Sequence, residues 1–156
     1  MHIRHIATEE LGQLLGLYQH LHPQDEPLPD PEAVESIWHE LMANPRYQYL
    51  GVFQESRLTA SCTLTLVPNL THGCKPYGLI ENVVTHSDYR QRGLGKKLLA
   101  HALERAWEAG CYKVMLMTGR KDEATLGFYK AAGFDPNDKQ AFVARPTHKT
   151  PTVTTS

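Results

Sequence analysis

Cysteine is scarce in this chain: Cys62, Cys74 and Cys111 are odd in number, far apart and free of any CxxC pair. Such spacing offers neither a disulfide framework nor a zinc knuckle, so reduced thiols are expected. No apolar run approaches the roughly 18 residues needed to cross a bilayer, and the opening MHIRHIATEE lacks the basic-then-apolar layout of a secretory signal. A cytoplasmic location with no membrane partner is the default expectation. An excess of one charge is also missing: 16 Lys and Arg against 17 Asp and Glu leave a net −1, which argues against a nucleic-acid partner despite one short basic stretch. There is no internal repeat.

What is present suits one ordinary domain. With 156 residues, 41% apolar and 21% charged, the chain can bury a sizeable core but has little room for a second domain. We place the single domain at residues 1–146 and expect 147–156, a Thr-rich segment, to be a mobile tail or to pair loosely at an edge. Edge strands and this tail leave a homodimer open. The charge is unevenly placed. Up to Pro45, eight acids (Glu9, Glu10, Asp25, Glu26, Asp30, Glu32, Glu35, Glu40) stand against one base, Arg4, a balance of −7 that leaves +6 on the remainder. One part of the molecule is thus suited to a cation and another to an anion, the plain alternative being solvated charged faces.

Periodicity gives the order of elements. His2–Ala7 reads as a short strand and Thr8 as a helix N-cap, followed by Leu11, Leu14, Leu15, Tyr18 and Leu21 at helical spacing. Four prolines between His22 and Pro31 make that stretch a loop. A second helix starts near Pro31 and stops at Asn44-Pro45. Tyr47–Gln54 and Leu58–Val67 read as a hairpin and Tyr77–Thr85 as a further strand. Leu94, Leu98, Leu99, Ala102, Leu103, Ala106 and Trp107 lie on one helix face closed by Gly110. Cys111–Met117 reads as a buried central strand, Glu123–Ala132 as a helix and Gln140–Arg145 as a last strand. The order β α α β β β α β α β describes an α/β protein of α+β mixed-sheet type. Its N-terminal strands are antiparallel, and strand 77–85, helix 94–109 and strand 111–117 form a β-α-β unit with a parallel pair.

Chemistry concentrates in the loop Tyr89-Arg90-Gln91-Arg92-Gly93-Leu94-Gly95-Lys96-Lys97. Two glycines allow close backbone approach, the first helix turn presents unpartnered N–H groups, and four cations surround them, so an anion site for phosphates competes with a plain basic helix start. A P-loop is excluded because Arg90 occupies its first glycine position and Lys97 its Ser/Thr position. A dinucleotide fingerprint is excluded because Leu98 stands at the third glycine. Glu81, flanked by Leu79, Ile80, Val83 and Val84, is an acid on a strand that looks buried, where desolvation would raise its pKa; a salt-bridged edge Glu is the alternative. The pairs His20-x-His22 and His2-x-x-His5 lack further ligands at suitable spacing, and no metal site is expected. A thiol such as Cys111 on a central strand is expected to be inert.

Arg90-x-x-Gly93-x-Gly95 after a β-strand, Glu81 on that strand and Phe128-Tyr129-Lys130-Ala131-Ala132-Gly133-Phe134 some forty residues on together resemble the GNAT superfamily of N-acetyltransferases. The segments Ile80–Gly95 and Gly110-Cys111-Tyr112-Lys113 are similar to glucosamine-phosphate N-acetyltransferases. The resemblance implies a GNAT-like fold with a splayed parallel pair and acetyl-coenzyme A as co-substrate. By the same resemblance the cofactor contacts are Val83, Val84 and Thr85 on the strand and Arg90, Gln91, Arg92, Gly93, Leu94, Gly95 and Lys96 in the loop. Tyr129 is implied as the acid for the departing thiolate and Glu81 as the base, direct or through water. The implied function is transfer of an acetyl group to a primary amine of a small molecule or peptide; a non-catalytic acyl-coenzyme A-binding module of the same fold is the alternative. Many family members carry Asn early in the helix before the tyrosine, where this chain has Asp122, a residue suited to capping. The acceptor is expected across the sheet from the cofactor, bordered by loop 22–31, whose acids suit a cationic amine.

Overall fold

The computed structural model describes residues 1–147 of the chain. Most of the tail expected at 147–156 lies outside the described residues. The elements are β1 (His2–His5), α1 (Leu11–Tyr18), α2 (Pro31–Ala43), β2 (Tyr47–Gln54), β3 (Arg57–Val67), the short turn α3 (Thr71–Cys74), β4 (Tyr77–Thr85), α4 (Leu94–Glu108), β5 (Val114–Leu116) and α5 (Glu123–Ala131). The five strands form one sheet in the order β1-β2-β3-β4-β5, antiparallel from β1 to β4 and parallel between β4 and β5. A mixed α/β sheet with the expected parallel unit is therefore observed.

Alternation along the strands divides the core between the two faces of the sheet. Leu50, Cys62, Leu64 and Ile80 point to one face, where they meet Leu94, Leu98, Leu99, Ala102 and Ala106 of α4. Leu98 and Leu99 are fully covered, each burial contributing about 2 kcal/mol. On the opposite face Phe53, Leu58 and Val84 pack with Leu14 and Leu17 of α1 and Trp38 of α2. Trp38 also donates its indole N–H to the Thr8 carbonyl at 2.8 Å, which ties α2 to the start of α1.

Local signals account for most helix ends. Asp30 accepts from the Ala33 N–H at 2.8 Å with Pro31 in the first turn of α2, and Asp122 accepts from the Thr125 N–H at 3.1 Å at the start of α5. The cap expected of Thr8 is not formed. Thr8–Glu10 is a 3₁₀ turn, and the Glu10 carboxylate instead accepts from the Ala7 N–H at 2.7 Å and from both Arg4 Nη atoms at 2.9 and 2.8 Å. The longer Glu side chain reaches a backbone donor and a fixed cation together, which Thr8 cannot do.

Two expectations at the C-terminal side are corrected. The apolar run Cys111–Met117 yields only a three-residue strand, and β5 is an edge strand of intermediate burial rather than a central one. Its pairing is limited because β4 departs from it after Ile80. Gln140–Arg145 forms no strand, and Phe142 is 90% exposed and Val143 67% exposed. A strand gains nothing unless an edge and an apolar face receive it, and three residues of β5 offer too little of either.

The Arg4 guanidinium and the Ala7 N–H hold the Glu10 carboxyl below its ordinary range. A group whose pKa is lowered on folding stabilises above its unfolded value and loses that contribution as pH falls through the folded value. Glu10→Gln should therefore cost less than about 1 kcal/mol at pH 7, and the difference should disappear under acid conditions. Denaturant unfolding at neutral and at acid pH measures both.

Candidate active site

The site is built around an irregularity in β4. β3 pairs Ser61 with Val84 and Thr63 with Glu81, so β4 carries an extra residue between these pairs, and Asn82 adopts φ +53°. This is a β-bulge at a residue type that tolerates the left-handed region. It reverses the parity of the strand. Gly78 donates its N–H to Lys113 on the β5 side at 2.9 Å, and regular alternation would keep even-numbered residues facing that side; yet His86 donates to Thr59 on β3 at 2.9 Å. After the bulge it is therefore Val83 and Thr85 whose backbone groups face away from β3. Pairing with β5 ends at Ile80–Leu116, so among the described residues no strand pairs with this edge of β4 from Glu81 to Thr85.

Side chains change faces at the same point. Ile80 points to the α4 face, while Glu81, paired with Thr63, points to the α1 and α2 face. Beyond the bulge Val83 packs on the α4 face and Val84 on the other. The gap between β4 and β5 consequently joins the two faces. Glu81 is solvent-exposed, which corrects the expectation of a buried acid: the bulge and the missing β5 partner leave its side chain open to water.

Past β4 the chain turns through Ser87–Tyr89 into Gln91 at φ +61° and Gly93 at φ +73°. Gly93 is the N-cap residue of α4, and no side chain caps this helix. Its first N–H groups thus point outward with the positive end of the helix dipole behind them, while Arg92, Lys96 and Lys97 are exposed around them. Arg90 is placed differently. Its Nε donates to the Thr85 carbonyl at 3.2 Å and its Nη2 to the His20 carbonyl at 3.3 Å, so it fastens the loop to β4 and to the end of α1. The His20 and His86 rings lie 4.0 Å apart at the same junction, and burial, His20 and Arg57 lower the His86 pKa.

Gly95 has a packing role that spacing alone could not reveal. A Cβ there would stand 2.9 Å from Phe128 Cζ and 3.7 Å from Thr85 Oγ1, so the glycine lets α5 close against the first turn of α4. The neighbouring Tyr129 is half-buried, packed edge-on to Phe128 at 5.0 Å and to Phe134 at 6.5 Å. Burial raises its phenol pKa, and the Cys62 thiol and the Glu81 carboxylate raise it further. Tyr129 packs against the core on the α4 face, the face opposite to that of Glu81.

A family model described as "Acetyltransferase (GNAT) family" matches residues 13–134. The chain belongs to the GNAT acetyltransferase family. Among solved structures, this GNAT chain aligns with one from Agrobacterium tumefaciens str. C58, provisionally described as an acetyltransferase, at 40% identity and a TM-score of 0.87, covering 94% of this chain and 100% of that one. Among curated proteins, it is 38% identical over 84 residues to a glucosamine 6-phosphate N-acetyltransferase of Trypanosoma brucei brucei, covering 54% of this chain and 55% of that protein. It is 32% identical over 136 residues to glucosamine 6-phosphate N-acetyltransferase 1 of Oryza sativa subsp. japonica, covering 85% and 79%. The match thus spans about half the length of the trypanosome relative and most of the rice one.

Within this GNAT fold the structure brings Val83, Thr85, Gln91, Gly93, Leu94, Gly95 and Lys96 to one continuous backbone path along β4 and the α4 N-terminus. Val84 is set apart, since it is buried against α1 and α2. Asn82 was not singled out by the sequence reading, although Asn on an otherwise apolar strand is a signal for a bulge. No helix among the described residues is long and apolar enough to cross a membrane.

The Gly95–Phe128 contact can be tested by itself. Gly95→Ala should destabilise by about 1–3 kcal/mol through overpacking, seen as a Tm lowered by several degrees. Phe128→Leu in the same chain should return part of that loss, so a thermal double-mutant cycle should show coupling.

Proposed function

We propose that this protein transfers an acetyl group from acetyl-coenzyme A to a primary amine. The observation that carries this reading is the open β4 edge from Glu81 to Thr85 running directly into the uncapped start of α4. An extended amide-containing arm can pair with Val83 and Thr85 as an added strand would, and a pyrophosphate suits the outward N–H groups from Gln91 to Lys96. Acetyl-coenzyme A, the co-substrate of the family, has that shape: a diamide arm joined to a pyrophosphate. Arg92 and Lys96 are exposed and have no ion pair among the described residues, so they are available to further phosphate charge. Arg90 acts as a positioning residue through the Thr85 and His20 carbonyls.

In this reading the thioester lies in the gap, with one face of the sheet on each side. Glu81, facing the α1 and α2 side, accepts a proton from the incoming amine directly or through water. A backbone N–H near Val83 on the open edge donates to the carbonyl oxygen as charge develops there. Tyr129, on the α4 side, donates a hydrogen bond to the departing sulfur. Its raised pKa keeps it protonated at pH 7, so it serves as a donor, and the released coenzyme thiolate recovers its proton through it or from water. No observation favours a non-catalytic module of this fold.

The acceptor approaches from the α1 and α2 side. The α1–α2 connection, whose His20 carbonyl is bonded by Arg90, forms an open depression of about 430 Å³ lined by Leu21, His22, Pro23, Gln24 and Asp25. Asp25 and Glu26 on this loop favour a cationic amine. The aminosugar phosphate in the names of the relatives supports a small-molecule acceptor, but its phosphate finds less support in an acidic loop.

Turnover with acetyl-coenzyme A and a panel of amines tests the reading. A lysine-like or polyamine acceptor should be used faster than glucosamine 6-phosphate, and the reverse order would refute the charge argument. Tyr129→Phe should lower kcat by about 10²-fold while leaving the KM for acetyl-coenzyme A within about twofold. Loss confined to KM would remove Tyr129 from the chemical step.

A further inference from the structure

His86 stands where the two parts of the cofactor path meet, one residue after Thr85 on the β4 edge and just before the turn that leads to α4. Its backbone N–H is fixed on β3 by the Thr59 carbonyl at 2.9 Å, and only 16% of its side chain is exposed. Both ring nitrogens face donors. Nδ1 accepts from the Asp88 N–H at 3.2 Å and so caps the turn Ser87–Tyr89, while Nε2 lies 3.0 Å from Arg57 Nη2. A guanidinium nitrogen only donates, and a neutral imidazole has one nitrogen free to accept. The neutral ring therefore satisfies one of these donors at a time, and the protonated ring neither. The surroundings do little to hold an added charge. The His20 ring, just past α1, is 4.0 Å away, Arg57 comes from the start of β3 and Arg90 from the loop itself. Asp88, exposed and 3.8 Å from Nδ1, is the one group among them that favours a cation. Tyr89 packs edge-on to the ring at 5.6 Å and is itself flanked by Arg57 and Arg92.

We infer that His86 is a positioning residue for coenzyme A: its neutral ring holds the turn that aligns the loop before α4 with the β4 edge, and protonation of the ring releases that alignment, so that affinity for the ligand falls in acid. The inference rests on acetyl-coenzyme A lying along β4 and the start of α4, and it adds what sets that path. The turn passes the chain to Arg90, whose bonds to the Thr85 and His20 carbonyls place the segment from Gln91 to Lys96. Protonation removes the cap on Asp88 and sets a further charge beside Arg57 and Arg90, so both effects loosen this one junction. Burial, His20 and Arg57 lower the His86 pKa, so the ring is neutral at pH 7 and the loss begins below the ordinary histidine range. A ligand that requires the neutral ring lowers that pKa further and releases a proton when it binds in acid. The opposite sign holds for a ring that acts only as one more cation for phosphate.

Isothermal titration with coenzyme A from pH 7.5 to pH 5 tests this in the wild type, His86→Asn and His86→Ala. Asn accepts from a backbone N–H two residues on but does not titrate, whereas Ala does neither. Wild-type Kd should be constant down to about pH 6.5 and rise about fivefold by pH 5, with proton release on binding in that range. His86→Asn should match the wild type at pH 7.5 and lose most of the acid weakening. His86→Ala should bind about fivefold more weakly than the wild type already at pH 7.5, with little further change. The 3′-phosphate of coenzyme A titrates alike with all three proteins, so their differences isolate the ring. Arg57→Gln, which removes one of the charges that lower the pKa, should move the acid transition to higher pH. Wild-type affinity that ignores acid or tightens in it, or equal acid weakening in His86→Asn, overturns the role of His86 and leaves the acetyl-coenzyme A reading standing. Absence of coenzyme A binding by the wild type at pH 7.5 refutes that reading, and the role of His86 with it.

Discussion

The break in hydrogen bonding between β4 and β5 after Ile80 is the constraint on which the rest of the site depends. Sheets are stabilised by completing their ladders, and a parallel pair normally continues for as long as both strands last. Here the bulge at Asn82 turns β4 so that Val83 and Thr85 face the gap with no partner strand among the described residues, the Thr85 carbonyl alone being taken by Arg90. The same turn exchanges the faces to which side chains point. One local irregularity therefore creates an edge that a ligand can complete, and a passage between the two sides of the sheet.

The two faces then have different chemistry. The α4 side is lined by apolar residues and Tyr129, and it leads to a helix start whose N–H groups have no side-chain cap. Cys62 is fully covered there, its thiol pushed up to about 12 by burial, so the half-buried Tyr129 phenol is the group able to offer a hydrogen bond across the gap. The α1 and α2 side holds Glu81 in solvent and the acidic loop beyond Tyr18. Arg90 links both sides by bonding the Thr85 and His20 carbonyls at once. Separating an anion-binding region from an amine-binding one keeps their opposite electrostatic requirements apart, consistent with the uneven charge along the chain.

Features set by local chemistry were legible in the sequence. The limits of β4, the start of α2 at Pro31, the start of α4 at Leu94 and the Asp122 cap all follow from residues within one turn or a few strand positions of one another. Glu81, Tyr129 and the glycine loop were readable because the resemblance joined three separated motifs. What was hidden depends on neighbours distant in sequence. The exposure of Glu81 follows from the bulge and from a short β5, while the need for Gly95 comes from a ring 33 positions away, that of Phe128. The strand expected at Gln140–Arg145 has suitable residues, but the β5 edge offers only three residues to pair with.

Amide hydrogen exchange at Val83 and Thr85, with and without coenzyme A, tests the central claim most directly. Exchange at both amides should be rapid in the free protein, because the edge is open, and should slow by at least tenfold when the ligand completes it, with little change at Leu64 or Leu50 in the interior of the sheet. Protection of both amides in the free protein, or ligand binding that leaves them unprotected, would contradict the account.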